Sequence, residues 1–570
     1  MKDIIFINPP GLRTGAYFPV GIGYLNQILI NKDINSKILD IYNMIIKKEL
    51  FIDENTITNI ESLIYKNPAK IYAITVNCAA LVWSVEICKI IRKVYKNSKI
   101  IVGGPHVTVL GEDNFKANKY IDYAIVFEGE KVIYDIVRSI LDNNIKNIKN
   151  IKNIYFLNKD KEIEFSGYAD INKELDDLPK INIDMREYNN ITGIAVDVGR
   201  GCPLECYFCE TNYIWNKKSR FKSIEKISEE SQFYFNKIRD KKKPLVHFSH
   251  DNFLINKSII KKLVDEKNKN LYDFSYACTT RIDFIDEESI ELLVKSSCKN
   301  IFFGIETGSK RIQKISKKNI DTDKIIDKIR LLCENKIFVE TNYIIGFPEE
   351  TLDEVYETLE LMSNVRWVNP TYSAVDCNLM SPVTHSKLGQ ATKEDDLVFN
   401  ELHSVYLDLL RAKIDIDKDL FIYNKYFFTI KNKNYDILKA RDFTMFYLGL
   451  LTGYPVSLYL LIKKSKISIN NINKSFNKMT INNEMLKNID IQFEFLENLF
   501  EKYNLIDFKE ILLFEKARLD IINKNFKNVN KLNFSKKIKD LECQHICYTL
   551  CKKFQNTCCL HKNLIIYVKE

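Results

Sequence analysis

Residues 199–209 read GRGCPLECYFC, and everything else in the chain is best placed by reference to them. Cys202, Cys206 and Cys209 stand in a CxxxCxxC spacing on one loop. A loop of this size can fold three thiolates around one face of a cubic [4Fe-4S] cluster, leaving the fourth iron without a protein ligand. An iron left open is a place for chemistry. The competing readings are a zinc site that borrows one further His or Cys, or three cysteines gathered by chance. Glycine on both sides of Arg200 lets the backbone approach a cofactor closely, which a purely structural knuckle would need less.

The cysteine stretch follows an apolar run at 193–198, the first of a series that continues at 245–249, 274–278, 300–304, 338–345 and 373–379, with helical stretches between. Six strand and helix units in succession predict an open or partial (β/α)6 barrel of the TIM type, with active residues at the carboxyl ends of its strands. Upstream, runs at 4–7, 71–76, 100–102 and 123–127 alternate with helical spacing such as 85–95. That pattern predicts a Rossmann-like parallel sheet whose loops gather at its carboxyl edge, where such sheets bind ligands. The fold class is therefore α/β. The expected domains are 1–142 as the Rossmann-like unit, 143–189 as a linker opening with NNIKNIKNIKNI, 190–394 as the barrel, and 395–570 as a mostly helical region with a Cys-rich tail.

Composition narrows the class. The 570 residues carry 84 Lys plus Arg against 75 Asp plus Glu, a net charge of +9 that is spread widely, so nucleic acid is not expected as the main partner. Fourteen cysteines are too sparse for a secreted disulfide framework, and MKDIIFINPPG lacks the apolar core of a signal peptide. The expectation is a cytoplasmic protein with reduced thiols. Residues 445–462 are uncharged but interrupted by Gly449, Gly453 and Pro455, which predicts two short buried helices meeting at Gly453-Tyr454-Pro455 rather than a membrane span. Cys543, Cys547 and Cys551 recur at four-residue steps, followed by Cys558, Cys559 and His561. A second metal site, packing cysteines and an easily oxidised tail all remain open there.

The cysteine loop resembles that of the radical S-adenosylmethionine enzymes, in which the open iron chelates the amino and carboxyl groups of S-adenosylmethionine. An electron from the cluster then cleaves the adenosyl carbon–sulfur bond, and the 5′-deoxyadenosyl radical abstracts hydrogen from an unactivated position. The resemblance implies Cys202, Cys206 and Cys209 as cluster ligands and Phe208 as a neighbour of the adenine. Further family positions match in order. His250-Asp251-Asn252-Phe253 is similar to the segment that receives the methionine amino group, with Asp251 as its partner; a turn and helix cap is the plainer alternative. Arg281, in Cys278-Thr279-Thr280-Arg281-Ile282-Asp283, would meet the methionine carboxylate as a bidentate donor. Glu306, in Phe303-Gly304-Ile305-Glu306-Thr307-Gly308, would face ribose or a cationic partner. An ordinary strand-end salt bridge competes with both assignments. Asn342 to Thr351 is similar to the GxIxGxxE strand, with Asn342 in place of the first glycine and Gly346 near the adenine.

Upstream, Asn8-Pro9-Pro10, Pro19 to Leu25, Gly103-Gly104-Pro105-His106, Asp122 and Glu128-Gly129-Glu130 are together similar to the cobalamin-binding domain that precedes one large class of these enzymes. The resemblance implies Gly103, Gly104, Glu128 and Gly129 as cobalamin-binding. The loop from Pro9 to Pro19 contains no histidine, which implies a cobalt without a histidine lower ligand, its lower face shielded by side chains such as those of 77–83. The expected cofactors are a [4Fe-4S] cluster, S-adenosylmethionine and cobalamin, and the expected activity is methyl transfer to an unactivated carbon or phosphorus of a small molecule or peptide. One S-adenosylmethionine would methylate the cobalt and a second would yield the radical, with electrons from a flavodoxin- or ferredoxin-type donor. A non-methylating enzyme of cyclisation, ring contraction or oxidative rearrangement, and a cobalamin sensor or carrier without catalysis, are the alternatives.

Overall fold

The computed structural model describes residues 1–11, 17–191, 193–416, 418–479 and 485–522; the cysteines from Cys543 onward lie outside these described residues. The first sheet contains β1 (Lys2–Asn8), β2 (Ser36–Asp40), β3 (Ala69–Thr75), β4 (Lys99–Gly103), β5 (Tyr123–Ile125), β6 (Ile154–Leu157) and β7 (Ile163–Phe165), in the order β2-β1-β3-β4-β5-β6-β7. The first five pair in parallel, and β6 and β7 continue the sheet antiparallel from β5. Alternate residues of the central strands enter opposite cores. Ile5, Ile7, Tyr72, Ile74 and Val102 pack with helices Thr56–Tyr65 and Leu81–Val94, while Ile4, Phe6, Ile71, Ala73 and Ile101 pack with helices Val20–Ile30 and Ile133–Leu141. Burial on both faces explains why these strands read as continuous apolar runs.

The sequence expectation is corrected here. Residues 154–165 are not part of a linker, because β6 and β7 complete the first sheet. Their signal is masked by the Asn-Ile-Lys repeat before them, which itself forms a 3-10 helix at Ile145–Asn150.

The remaining strands of the barrel region are β8 (Gly193–Asp197), β9 (Gly199–Arg200), β10 (Arg220–Phe221), β11 (Leu245–Ser249), β12 (Tyr276–Thr280), β13 (Cys298–Glu306), β14 (Phe338–Ile345) and β15 (Ser373–Leu379). Six of them form one sheet in the order β15-β14-β13-β12-β11-β8, with helices between successive strands, as expected for a (β/α)6 partial barrel. The described residues divide into two compact units, one within 1–279, 295–298 and 381–429, the other within 280–294, 299–380 and 430–522. In the first unit, Val405, Leu409, Phe421 and Phe427 join the core on one face of the amino-terminal sheet, so the region after 395 begins by covering that sheet.

In the second unit, helix Ile437–Gly453 breaks at Tyr454, and Pro455 opens the next helix as its first residue. The two segments meet at 112°, and among the described residues no single helix is long and apolar enough to cross a membrane. Tyr447, Leu450, Tyr454 and Leu458 are fully buried, matching the two short buried helices read from the sequence.

Candidate functional site

The cysteine loop leaves β8 at Asp197 and is closed at its base by a two-stranded antiparallel ribbon, in which β9 and β10 pair Gly199 with Phe221 and Arg200 with Arg220. Only glycine fits at two positions of this base. A Cβ on Gly199 would strike the Arg220 carbonyl, and Gly201, at φ +91°, would drive one into the Lys218 carbonyl. The loop is tied down at its backbone. Asp251 Oδ2 accepts from the Gly201 N–H at 2.8 Å, Asn212 Nδ2 donates to the Leu204 carbonyl at 2.6 Å, and the Leu388 N–H donates to the Tyr207 carbonyl at 2.9 Å. Glu205 pairs with Lys217 and, at 2.9 Å, with Lys387. Asn212, Lys387 and Leu388 carry no sequence motif and were not among the expected site residues.

Cys202, Cys206 and Cys209 are half-buried thiols on this loop, with Phe208 half-buried beside the last. The Cys209 N–H donates to the Cys206 carbonyl at 3.2 Å, and the Cys209 thiol donates to Thr211 Oγ1 at 3.2 Å. Burial pushes the Cys202 and Cys209 thiols up, and each is raised further by a neighbouring cysteine of the triad. Thiolates that share a field are the donor set of a cationic iron centre, whose charge reverses that shift. Among the described residues no three His, Cys, Asp or Glu side chains converge on a single ion. Three thiols on one loop are the ligand number of a cubane with one open iron, whereas a closed tetrahedral zinc site would need a fourth ligand.

The first unit contains a cavity of about 730 Å³ lined from two sides by strand ends. Thr75, Gly103, Gly104 and Ile125 come from the carboxyl ends of β3, β4 and β5; Asp197, Arg200, His250, Asp251 and Thr279 come from the ends of β8, β9, β11 and β12. Three lining glycines leave room that the protein itself does not use. A Cβ on Gly21 would meet nothing within 4 Å, and at Gly103 and Gly129 the nearest atom would be 3.6 Å away, an ordinary contact. Gly104 differs, since at φ +112° its Cβ would stand 2.8 Å from the Val76 carbonyl, so local packing alone demands glycine there. A glycine-cleared wall at the strand ends fits a broad flat ligand such as a corrin. Residues 77–83, expected to shield the cobalt, do not line this cavity: Asn77 caps the short 3-10 helix Cys78–Ala80, and Leu81, Val82 and Trp83 are buried in the core. His106 is likewise buried, its Nε2 3.1 Å from the Tyr423 carbonyl, where loss of hydration lowers it to about 4.

Charge is concentrated on one wall of the cavity. Arg200 Nη1 donates to Glu128 at 2.8 Å, and its Nη2 donates to Glu130 at 2.7 Å and to Asp197 at 2.8 Å. Arg220 Nη2 reaches Glu128 at 2.9 Å, and the Asn172 N–H donates to the same carboxylate at 2.8 Å. Burial alone would raise the Glu128 carboxyl, but Arg220, the Asn172 N–H and Arg200 hold it below the usual range. Trp215 lies under both guanidinium groups, at 5.8 and 5.7 Å. Glu128 was expected to bind cobalamin. Its carboxylate pairs with the two arginines, and it lines the cavity together with Gly129.

Asp251 combines both settings, since it lines the cavity and holds the cysteine loop; burial raises its carboxyl above the ordinary value. His250 stacks on Phe221 at 4.2 Å and accepts from the Asn252 N–H at 2.9 Å, and burial lowers it to about 4.

In the second unit, Arg281 does not present an open fork for a carboxylate. Its Nε and Nη2 donate to Asp283 at 2.9 and 2.8 Å, and Nη2 also reaches the Lys318 carbonyl at 2.5 Å. Glu306, at φ +73° beyond a register shift in β13, is paired with Lys318 at 2.9 Å, the ordinary strand-end salt bridge that competes with its expected role. Gly304 makes space for this carboxylate, which a Cβ there would strike. Gly346 adopts φ +94°, and its N–H donates to Glu350 Oε2 at 2.7 Å. Asn342, in place of the motif glycine, accepts from Asn378 at 2.8 Å.

Comparison with known proteins follows these two regions. The pattern of the Radical SAM superfamily matches residues 196–362, and that of the B12 binding domain matches residues 13–137. An uncharacterized methyltransferase of Pyrococcus horikoshii is 25% identical over 351 residues, covering 60% of this chain and 72% of its own. The anaerobic magnesium-protoporphyrin IX monomethyl ester cyclase of Cereibacter sphaeroides is 24% identical over 292 residues, and the match spans 48% of this chain and 46% of that protein. Among solved structures, the radical S-adenosylmethionine methyltransferase TsrM of Kitasatospora setae, with cobalamin and a [4Fe-4S] cluster bound, superposes with a TM-score of 0.61 at 12% identity, covering 88% of this chain and all of that one. The cobalamin-dependent radical enzyme OxsB gives a TM-score of 0.60 at 14% identity over 92% of this chain and 80% of its own. With both patterns placed on the two strand series that meet at one cavity, the chain belongs to the radical S-adenosylmethionine enzymes that carry a B12-binding domain, and its cofactors are S-adenosylmethionine, a [4Fe-4S] cluster and cobalamin.

Proposed function

We propose that this enzyme is a methyltransferase that acts on an unactivated carbon or phosphorus of a small molecule or peptide. The observation that carries the reading is the single cavity into which both strand series open, beside the loop of Cys202, Cys206 and Cys209. When bound, the cluster supplies the electron that splits S-adenosylmethionine, and cobalamin supplies the methyl carrier. The chain's own part is positional. Cys202, Cys206 and Cys209 hold the cluster, Asp251 fixes the loop through the Gly201 N–H, and Gly21, Gly103 and Gly129 leave the corrin its space. Phe208 and Gly346 serve the adenine. The Arg200 network keeps the cavity wall and the cysteine loop in one fixed relation, which oriented radical chemistry requires.

The domain limits that fit this reading are 1–165 for the cobalamin unit and about 190–394 for the barrel. A small electron-transfer protein of the flavodoxin or ferredoxin type would reduce the cluster, in a cytoplasmic setting. The test is anaerobic reconstitution with S-adenosylmethionine labelled in its methyl group, offered to candidate substrates from neighbouring genes. A product carrying one labelled methyl supports the reading. A second reading, cyclisation or rearrangement without methyl transfer, is favoured by the similarity to a protein named as a cyclase. It predicts 5′-deoxyadenosine with no label in the product.

A further inference from the structure

The loop Gly346–Glu350 is held by side chains from a segment more than eighty positions later in the chain. Asn432 Nδ2 donates to the Phe347 carbonyl at 2.9 Å and to the Glu350 carbonyl at 3.0 Å. Asn434 Nδ2 donates to the Glu350 carbonyl at 3.0 Å, and Asn432 Oδ1 in turn accepts from the Asn434 N–H at 2.7 Å. The Tyr435 hydroxyl donates to Glu350 Oε2 at 2.7 Å, the same oxygen that receives the Gly346 N–H. Ile437 closes the other side, since a Cβ on Gly346 would come within 2.8 Å of its Cδ1.

We infer that residues 432–437 form a clamp that sets the position of the Gly346 loop for the nucleoside half of S-adenosylmethionine, with Tyr435 as a positioning residue. The inference rests on the assignment of Gly346 to the adenine made above. Holding the loop for stability alone would not call for this arrangement. Glu350 is fully buried, its Oε1 has no hydrogen-bond partner, and burial raises the carboxyl to about 7. A buried carboxylate with one oxygen unsatisfied is destabilising unless its other oxygen does something the loop needs. Here that oxygen fixes the N–H of a glycine held at φ +94°, a backbone conformation that sets the course of the whole loop. The clamp also lies beyond residue 362, where the superfamily pattern ends, so it is a feature of this chain's own carboxyl-terminal region.

The test is the affinity of S-adenosylhomocysteine, measured by titration calorimetry on protein loaded with cluster and cobalamin. Tyr435→Phe removes only the hydroxyl, and the loss of a hydrogen bond to a carboxylate predicts a Kd raised about tenfold, with cluster absorbance unchanged. Tyr454→Phe is the control. It removes a comparable hydroxyl bond to the Ile489 carbonyl, 2.8 Å, elsewhere in the same region, and should leave Kd at the wild-type value. Should Tyr435→Phe fail to fold, Asn434→Ala is read in the same way. An unchanged Kd in the folded clamp variant, or an equal rise in the control, overturns the clamp alone. Failure of the loaded wild-type protein to bind S-adenosylhomocysteine overturns the assignment of the nucleoside site beneath it.

Discussion

The strand ends of the two units handle buried charge in different ways. In the first unit, Arg200 and Arg220 share Glu128, Glu130 and Asp197 in one network on a cavity wall. In the second, charges pair off singly, Arg281 with Asp283 and Glu306 with Lys318, while Glu350 is left with Tyr435 and a backbone N–H. A shared network has no member that can be removed without stranding several others, whereas an isolated pair can be broken with local consequences. The network therefore fits a cavity wall that must stay fixed, and the separate pairs fit strand ends that are positioned one at a time.

The contrast predicts a graded set of effects. Arg200→Ala leaves three buried carboxylates short of a partner and should cost about 3–5 kcal/mol of stability, read by denaturant unfolding, together with loss of cobalamin retention on gel filtration. Arg281→Ala, which breaks one ion pair and the bond to the Lys318 carbonyl, should cost clearly less; equal costs would remove the distinction between the units. Glu350 comes next. Its folded-state value is raised to about 7 from an ordinary 4.5, so the folded protein binds the extra proton and stability should fall as pH rises between those two values. The total is on the order of 3 kcal/mol, and Glu350→Gln should flatten that slope in denaturation measured across the window.

Gly21→Leu sharpens the comparison at the cavity. The new Cβ meets no protein atom within 4 Å and leucine improves the helix, so the cobalamin-free melting midpoint should hold or rise while cobalamin affinity falls at least about tenfold. The smallest effect is expected of Asn212→Ala, which frees the Leu204 carbonyl at a cost of about 1 kcal/mol and should show mainly as slower cluster reconstitution.

Much of this was legible from residue type and order. The CxxxCxxC loop, the apolar runs of both sheets and the break at Gly453-Tyr454-Pro455 each follow from local rules that tertiary structure did not override. The edge strands were not legible. Ser36–Asp40 is short and polar at both ends, and β6 follows a repeat whose composition hides any periodicity. Partners were the other gap. Sequence marked Glu128 and Arg281 as charged groups at strand ends, but a side chain's protein partners, Arg220 for the one and Asp283 for the other, are fixed by packing that sequence order does not show. The ties on the cysteine loop, from Asn212, Lys387 and Leu388, are hydrogen bonds and one ion pair that ordinary residues make by placement alone.

The account turns on the thiols of Cys202, Cys206 and Cys209 presenting an iron cluster with one open site to S-adenosylmethionine. Electron paramagnetic resonance of the reduced, anaerobically reconstituted protein tests this directly. The account predicts a [4Fe-4S] signal that changes on addition of S-adenosylmethionine and is absent from the triple alanine variant. Zinc in place of iron at that loop, or a cluster signal indifferent to S-adenosylmethionine, would contradict it.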